Sequence, residues 1–499
     1  MESQNHTPTP IAALAPELNA LPGRLRHVHL MGICGTAMAS LAGILKQEGY
    51  LVTGSDQNVY PPMSRFLEDL SIPVLEGYKA ENLHPTPDLV IVGNVITMLN
   101  PEAVELSSLR IPYLSLPQAL RAFAMKDKKS IVICGTHGKT TTTALIAWVL
   151  ENAGLDPGFM VGGIPKNFGK SFKLGGGPYF VIEGDEYDTA FFDKGPKFLH
   201  YLPWLTILTS IEFDHADIYR DLDHVRQSFQ KLIHLIPPDG LLVANRDDPI
   251  VMAEVKQARC PVVTYSLQSG GDWTARDITV QEDFTFLRAV NRQGGTLEIK
   301  TPLYGRHNVS NLLSTLPLSP FLGIEAGNLL RGLETFQGVK RRQEVKGEAK
   351  GVLVLDDFAH HPTAVRETIQ AVKDKYSQRR LVAAFEPRSN SSRRNVFQEQ
   401  YASSFDRADL VMIPEPPMKG KIPVEQRFSS AGLVEDLNRK GLSAFYFPDT
   451  ALLLEELLQR CRAGDVVLFM SNGPFDNLPD RMLAKLGGIS LTEKAISAS

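Results

Sequence analysis

The sequence predicts an α/β protein of three domains: an N-terminal Rossmann-like unit, a central parallel sheet of the P-loop type, and a C-terminal Rossmann-like unit. Three observations predict it. A chain of 499 residues is too long for one ordinary domain. Apolar runs of strand length alternate with amphipathic helical patterns along most of the chain, as in parallel sheets covered by helices. The strand–loop–helix unit also starts afresh, at His27, at Ser130 and at Val352.

The elements follow in order. Residues 1–23 are polar and rich in Pro and Thr at first, then mildly helical, and are expected to be a flexible tail. In the first domain, expected over 24–125, His27 to Met31 reads as a strand and Gly32 to Thr36 as a small-residue loop. A helix runs to about Glu48, Gly49 stops it, and a strand from Tyr50 to Gly54 ends near Asp56. The second domain, 126–338, opens with an apolar strand to Cys134, the loop Gly135 to Lys139 and a helix from Thr140 to Asn152. Within it, Trp273 to Lys300 alternates and is expected to form a hairpin insertion. Phe336 to Glu348 is charged and contains glycine, so it reads as a hinge. The third domain, 339–499, has strands at Val352 to Leu355, Leu381 to Phe385, Leu410 to Ile413 and Val466 to Met470, with a helix from about Pro362.

Composition narrows the function classes. Hydrophobic residues are 43% and charged residues 22%, ordinary for a globular protein, and the net charge of -4 gives no global field for nucleic acid or an anionic membrane. No apolar run is long enough to span a bilayer, and the N-terminus lacks a signal pattern. A cytoplasmic protein without membrane insertion or nucleic-acid partner is expected. The 4 cysteines are far apart, with no metal-ligand spacing, which fits core thiols in a reducing compartment.

The strongest motif is Gly135-Thr136-His137-Gly138-Lys139-Thr140-Thr141, between strand and helix. Crowded phosphate oxygens need closely approaching backbone N–H groups, a helix N-terminus, a lysine and a hydroxyl for Mg²⁺, and all are present. The strict P-loop pattern is broken at Ile133, where its first glycine would stand. Glu183-Gly184-Asp185-Glu186 follows another apolar strand and supplies hard oxygens for a magnesium ion. Asp214-His215-Ala216-Asp217 follows a third strand and gives a second metal or phosphate contact, His215. His307, Asn308 and Asn311 lie in Gly305-Arg306-His307-Asn308-Val309-Ser310-Asn311; the two Asn amides could pair with an adenine edge or cap a helix. Asp356 and Asp357 could hold ribose hydroxyls or cap the helix after them. Near the N-terminus, Gly32-Ile33-Cys34-Gly35-Thr36 has cysteine where a dinucleotide fingerprint has glycine, so no NAD site is expected.

Taken together, these motifs and Gly338-Val339-Lys340-Arg341-Arg342 resemble the Mur ligases in order and spacing, from about His27 to Asn472. The resemblance implies an ATPase-type central domain, with ATP and Mg²⁺ as cofactors. It implies UDP-N-acetylmuramate and a short peptide as partners, joined through an acyl phosphate. Lys139 would hold the β- and γ-phosphates, with Gly135, Thr136, His137, Gly138 and Thr141 around them. Thr140, Glu183 and His215 would bind Mg²⁺, and Arg342 would fix phosphates or domain closure. Asn308 or Asn311, beside His307, would meet adenine, and Asp356 or Asp357 the ribose. Gly32, Cys34, Gly35, Thr36, Met38, Ser55 and Asp56 would hold the uridine diphosphate.

Within the family, Asn58-Val59-Tyr60-Pro61-Pro62-Met63-Ser64 and Phe191 to Phe198 resemble the branch that adds the whole tripeptide L-alanyl-γ-D-glutamyl-meso-diaminopimelate. Arg388, Ser389 and Asn390 would then take its carboxylates, since the Arg fork matches a carboxylate. Two departures stand out. Ser210 replaces an Asn common in the family, and Gln230 falls where several members carry a carbamylated lysine, so none is expected here, although Lys231 is adjacent. The alternatives are a ligase for free L-alanine and, from another class, a P-loop hydrolase or kinase switch.

Overall fold

The strand His27–Met31 is buried from Val28 onward, and a strand apolar on both sides belongs inside a covered parallel sheet. In the computed structural model, which describes residues 11–60, 63–417, 420 and 422–488, it is the middle strand of five. The order is Val74–Glu76, Leu51–Asp56, His27–Met31, Leu89–Val92, Tyr113–Ser115, all parallel. The helix Thr36–Gln47 covers it, burying every residue from Met38 to Leu45.

The second sheet has ten strands. Lys129–Cys134 lies between Pro203–Leu208 and Tyr179–Gly184, parallel to both, and the register pairs Cys134 with Leu208 and with Gly184. Three loops therefore leave one edge at one level: the glycine loop, the acidic loop and the loop to His215. This is the carboxyl edge, where open α/β sheets hold ligands. Trp273–Gln281, Phe284–Asn291 and Thr296–Thr301 form an antiparallel meander that extends the sheet, one strand more than a hairpin. A small hairpin of Asp188–Ala190 and Asp193–Pro196 carries Phe192 against Tyr113, with ring centroids 4.9 Å apart, and so ties the second sheet to the first.

The third sheet has six strands in the order Glu344–Ala349, Val352–Asp357, Asp465–Met470, Arg380–Phe385, Leu410–Pro414, Ala444–Phe447, parallel except for the first. Met470 is in register with both Asp357 and Phe385, so Arg388 and Asn472 also lie just beyond one strand edge.

Two expectations change. The segment read as a hinge is a strand in its second half: Glu344–Ala349 pairs antiparallel with Val352–Asp357, because the turn around Lys350 and Gly351 folds it back. The flexible tail is docked where it is described. Ala12 N donates to Met98 O, Ala13 N to Ser107 Oγ, and Asn19 exchanges hydrogen bonds with Gln118. Its polar groups find fixed partners on the first domain, which composition does not reveal. Residues 1–10, Pro61 and Pro62 lie outside the described residues.

Phe336, at the end of the helix Ala326–Thr335, is fully buried in the core beneath the helix Lys139–Asn152. Phe336→Ala should destabilise the central domain by about 3–5 kcal/mol, the range for truncating a buried phenylalanine. The check is the midpoint of urea unfolding followed by tryptophan fluorescence.

Candidate active site

The glycine loop is held in shape by backbone angles and by close neighbours. Gly135 has φ +125° and Gly138 φ +81°, both strained for an L side chain. A Cβ at Gly135 would strike Thr209 and Ser210, and one at Gly138 would strike Asn311. Thr136 N donates to Ser210 O at 3.0 Å and His137 N to Ser210 Oγ at 3.1 Å. Ser210, the departure from the family pattern, thus braces the loop.

Past the loop, the helix Lys139–Asn152 begins. Lys139 Nζ donates to Gly135 O at 2.6 Å and pairs with Glu186 Oε2 at 2.9 Å. The other Glu186 oxygen lies 3.4 Å from His215 Nε2. Thr140 Oγ1 donates to Glu183 at 2.9 Å, and Arg342 Nη2 donates to Thr140 Oγ1 at 3.1 Å. The structure therefore brings Lys139, Thr140, Glu183, His215 and Arg342 into one cluster. Its linchpin is Glu186, which sequence reasoning placed among the acids without a role. The signal was the three-residue spacing from Glu183, but its partner is 47 residues away and could not be read locally.

Burial opposes every charge in this cluster, and the partners decide the outcome. For Lys139, Glu186 and Asp185 outweigh burial and hold the ammonium protonated. For Glu186, burial is outweighed by Lys139 and His215, which bring the carboxyl down to about 2. His215 is raised, because Glu186 and Asp214 outweigh its burial. Glu183 goes the other way: burial, then Asp185, push it up despite Gly162 N, Thr140 and Arg342. A carboxylate that is costly to ionise beside a hydroxyl oxygen is a donor pair suited to a hard cation. Burial raises the Cys134 thiol well above its usual range, so it is no nucleophile.

The helix Arg306–Leu313 runs beside the glycine loop. Its cap is Gly305, with no side-chain cap bond, so neither Asn308 nor Asn311 caps it. Asn308 Nδ2 donates to Tyr304 O and to Gln343 Oε1, both at 3.0 Å, while Asn311 lies against Gly138. His307 Nδ1 is shielded from solvent without a partner. Nor do Asp356 and Asp357 cap the helix Pro362–Lys375, whose cap is His361. Asp357 accepts from Gln343 N and Ala359 N at 2.7 Å, and Asp356 accepts from Arg341 Nε at 3.2 Å.

Next to His215 opens a cavity of about 360 Å³, lined by Asp214, His215, His360, Arg388, Asn390 and Asn472, among others. Arg388 lies across Gly473, where any side chain would collide with it, and sits 3.4 Å from Glu386. Ser389 Oγ bonds Ser392 Oγ at 2.8 Å, and Asn390 Nδ2 donates to Asp217 at 2.8 Å. Asn472 Oδ1 is buried with no partner, an acceptor open to a ligand donor.

In the first domain, Gly32 N and Ile33 N donate to Ser55 O, and Cys34 N donates to Asp56 Oδ2 at 2.9 Å. Gly35 and Thr36 are exposed at the start of the first helix, and Met38 is buried. Ser55 differs from its companions. Its hydroxyl points inward, fully buried, and donates to Glu102 at 2.6 Å, so its backbone carbonyl is what supports the loop.

The fold and this clustering match one family throughout. The chain belongs to the Mur ligase family: residues 27–128 match the Mur ligase family catalytic domain, 133–318 the Mur ligase middle domain, and 341–473 the Mur ligase glutamate ligase domain. It is thereby an ATP-dependent ligase that forms amide bonds. The UDP-N-acetylmuramate–L-alanyl-gamma-D-glutamyl-meso-2,6-diaminoheptandioate ligase of Escherichia coli is 38% identical over 91% of this chain and 97% of its own length. The Haemophilus influenzae protein of the same name is 39% identical over 93% and 99%. Among solved structures, a murein peptide ligase from Psychrobacter arcticus aligns with a TM-score of 0.71 at 34% identity, covering 93% of this chain and 99% of that one.

Burial, then Arg342 and His137, lower His307 from its ordinary 6.5 to about 4. Between those values the unfolded imidazole takes up a proton and the folded one does not, so stability falls as pH drops through that window. The thermal midpoint should fall between pH 6.5 and 4 in the parent, and fall less steeply in His307→Gln. Differential scanning fluorimetry across that range is the check.

Proposed function

We propose that this protein joins UDP-N-acetylmuramate to L-alanyl-γ-D-glutamyl-meso-diaminopimelate at the cost of ATP, returning peptide from the wall to peptidoglycan synthesis in the cytoplasm. The carrying observation is that His215 belongs to two places at once. It faces Glu186 in the lysine cluster, and it lines the cavity that holds Arg388.

A carboxylate is a poor acylating agent, so it must first gain a better leaving group. In this reading a lactyl carboxylate oxygen attacks the γ-phosphorus of ATP, ADP departs, and an acyl phosphate remains. The alanyl amine attacks the acyl carbon, loses a proton, and phosphate leaves with the C–O bonding pair. Such steps need positioning and charge neutralisation more than a protein nucleophile. Lys139 and the backbone N–H groups of the glycine loop neutralise and orient the phosphates, and Arg342 adds a fixed charge from the segment just before the strand Glu344–Ala349. Thr140, Glu183 and His215 would hold Mg²⁺, which supplies further neutralisation of phosphate oxygens when bound. The Thr140–Glu183 oxygen pair supports that fit. Asn308 or Asn311 and Asp356 or Asp357 would line the nucleoside side. The loop from Gly32 to Met38, with Asp56, would hold the uridine diphosphate. Arg388, Ser389, Asn390 and Asn472 supply donors and an acceptor for a peptide rich in carboxylates.

The rival within the family adds free L-alanine, a smaller acceptor with a single carboxylate. Purified protein given UDP-N-acetylmuramate, ATP and Mg²⁺ should consume the tripeptide in preference to L-alanine, read by mass spectrometry of the product. Preference for L-alanine overturns the substrate assignment. Lys139→Ala should abolish product formation. Arg388→Ala should raise KM for the tripeptide roughly 10- to 100-fold, the loss of one hydrogen bond to a charged group, while KM for ATP stays near the parent value.

A further inference from the structure

Three side chains from separate loops meet beside the glycine loop. They are His137 within that loop, Glu212 beyond the strand Pro203–Leu208, and His361 at the cap of the helix Pro362–Lys375. His137 Nε2 lies 3.5 Å from Glu212 Oε2, and His361 Nδ1 lies 3.7 Å from the same oxygen. The ligand-capable atoms of the three all fall within 4.8 Å of one another, and the imidazole centroids are 4.7 Å apart. None of these side chains acts in the steps set out above, where His137 contributes only its backbone.

The hydrogen-bond roles around His361 are fixed by its neighbours. Its Nε2 is 3.2 Å from Phe213 O, a carbonyl that can only accept, so Nε2 carries the proton. Nδ1 then carries the lone pair, which accepts a long hydrogen bond from Thr363 N at 3.3 Å, a bond that a bound cation would replace. The same nitrogen lies 3.7 Å from Glu212 Oε2. His137 Nε2 is buried without a hydrogen-bond partner and faces the same oxygen.

We propose that His137, Glu212 and His361 bind a divalent transition-metal cation of the zinc class, clasping the third sheet to the glycine loop. Two imidazoles and one carboxylate suit such an ion and suit Mg²⁺ poorly. Zinc-to-ligand distances near 2.1 Å place tetrahedral ligands about 3.4 Å apart, close to the two shorter separations here. The outer contacts are also in place: His361 Nε2–H donates to Phe213 O, and Thr363 Oγ1 donates to Glu212 at 2.8 Å. The fourth position is open to water. Because His361 comes from a different sheet than its two partners, bound metal would favour the arrangement in which those sheets touch.

The test is a Co²⁺ titration of the full-length protein, stripped with chelator and free of nucleotide, followed by visible absorption. One equivalent should bind with the ligand-field bands of a nitrogen- and oxygen-ligated ion, and a large excess of Mg²⁺ should not displace it. His361→Gln and Glu212→Gln should each weaken binding at least about tenfold. Glu183→Gln, at the other cation pair, should bind as the parent does. Far-UV circular dichroism confirms that each variant is folded, and two independent variants guard against the loss of one. The idea is overturned if the parent binds no Co²⁺, if both His361→Gln and Glu212→Gln bind it as the parent does, or if only Glu183→Gln loses it. The readout is metal binding alone, so it stands apart from the ligase assignment.

Discussion

A buried ammonium cannot stand without a counter-charge, and the Lys139–Glu186 pair is the constraint around which this molecule is organised. Lys139 sits at the first residue of its helix, where the dipole already disfavours a cation. Burial adds to that cost, and only Glu186 and Asp185 make the charge tolerable. Satisfying Lys139 forces the acidic loop up against the glycine loop. Satisfying the rest of Glu186 brings in His215 from a third loop. Three loops are thereby pinned to each other by one charge.

Such pinning works only because the sheet delivers the loops at one height. Cys134 is level with Gly184 on one side and Leu208 on the other. A slip of one residue would turn each strand's side chains to the opposite face and carry Glu183 away from Thr140. The near-continuous burial of Ser130–Cys134 and Phe180–Ile182 forbids that slip, since both faces are packed. Core packing sets the register, the register sets the loop heights, and the charges then choose the conformation of the loops.

The fold class could be read from the sequence because its signals are local. Apolar strand runs, glycine loops and helical periods each occupy a few neighbouring residues, as from Ser130 to Asn152. The glycine loop and the acids after Val181 were legible for the same reason. What could not be read depends on partners far along the chain. Glu186 gains its role from Lys139, and Ser210 from the backbone of His137. Ser55 turns inward because Glu102 waits there, 47 residues on. The strand Glu344–Ala349 looked like a hinge because its charged, glycine-containing sequence has no apolar alternation. Its stability comes from pairing with Val352–Asp357 at the sheet edge, where one side is solvent. The tail behaves likewise, held by Asn19 and Gln118 across 99 residues.

Arg342 carries this logic between domains. A guanidinium stays charged at any ordinary pH, so when buried it must find compensation rather than shed its proton. It donates to Thr140 at the start of the helix Lys139–Asn152, and the carboxylates of Asp357 in the third sheet and Glu183 in the second oppose the effect of its burial. The two sheets are thus joined near the site by a shared cation and by hydrogen bonds, such as Thr363 Oγ1 to Glu212, beside a few apolar contacts such as Phe213 to Phe397. Apolar contact is rewarded by area and is lost only when water enters it. A polar seam can exchange its partners for those of a ligand at little net cost, because each bond broken is replaced by another. An enzyme that must admit a nucleotide, a sugar acid and a peptide between its sheets requires a seam of that kind. The same cations that hold the sheets together are then the groups that phosphates and carboxylates can recruit.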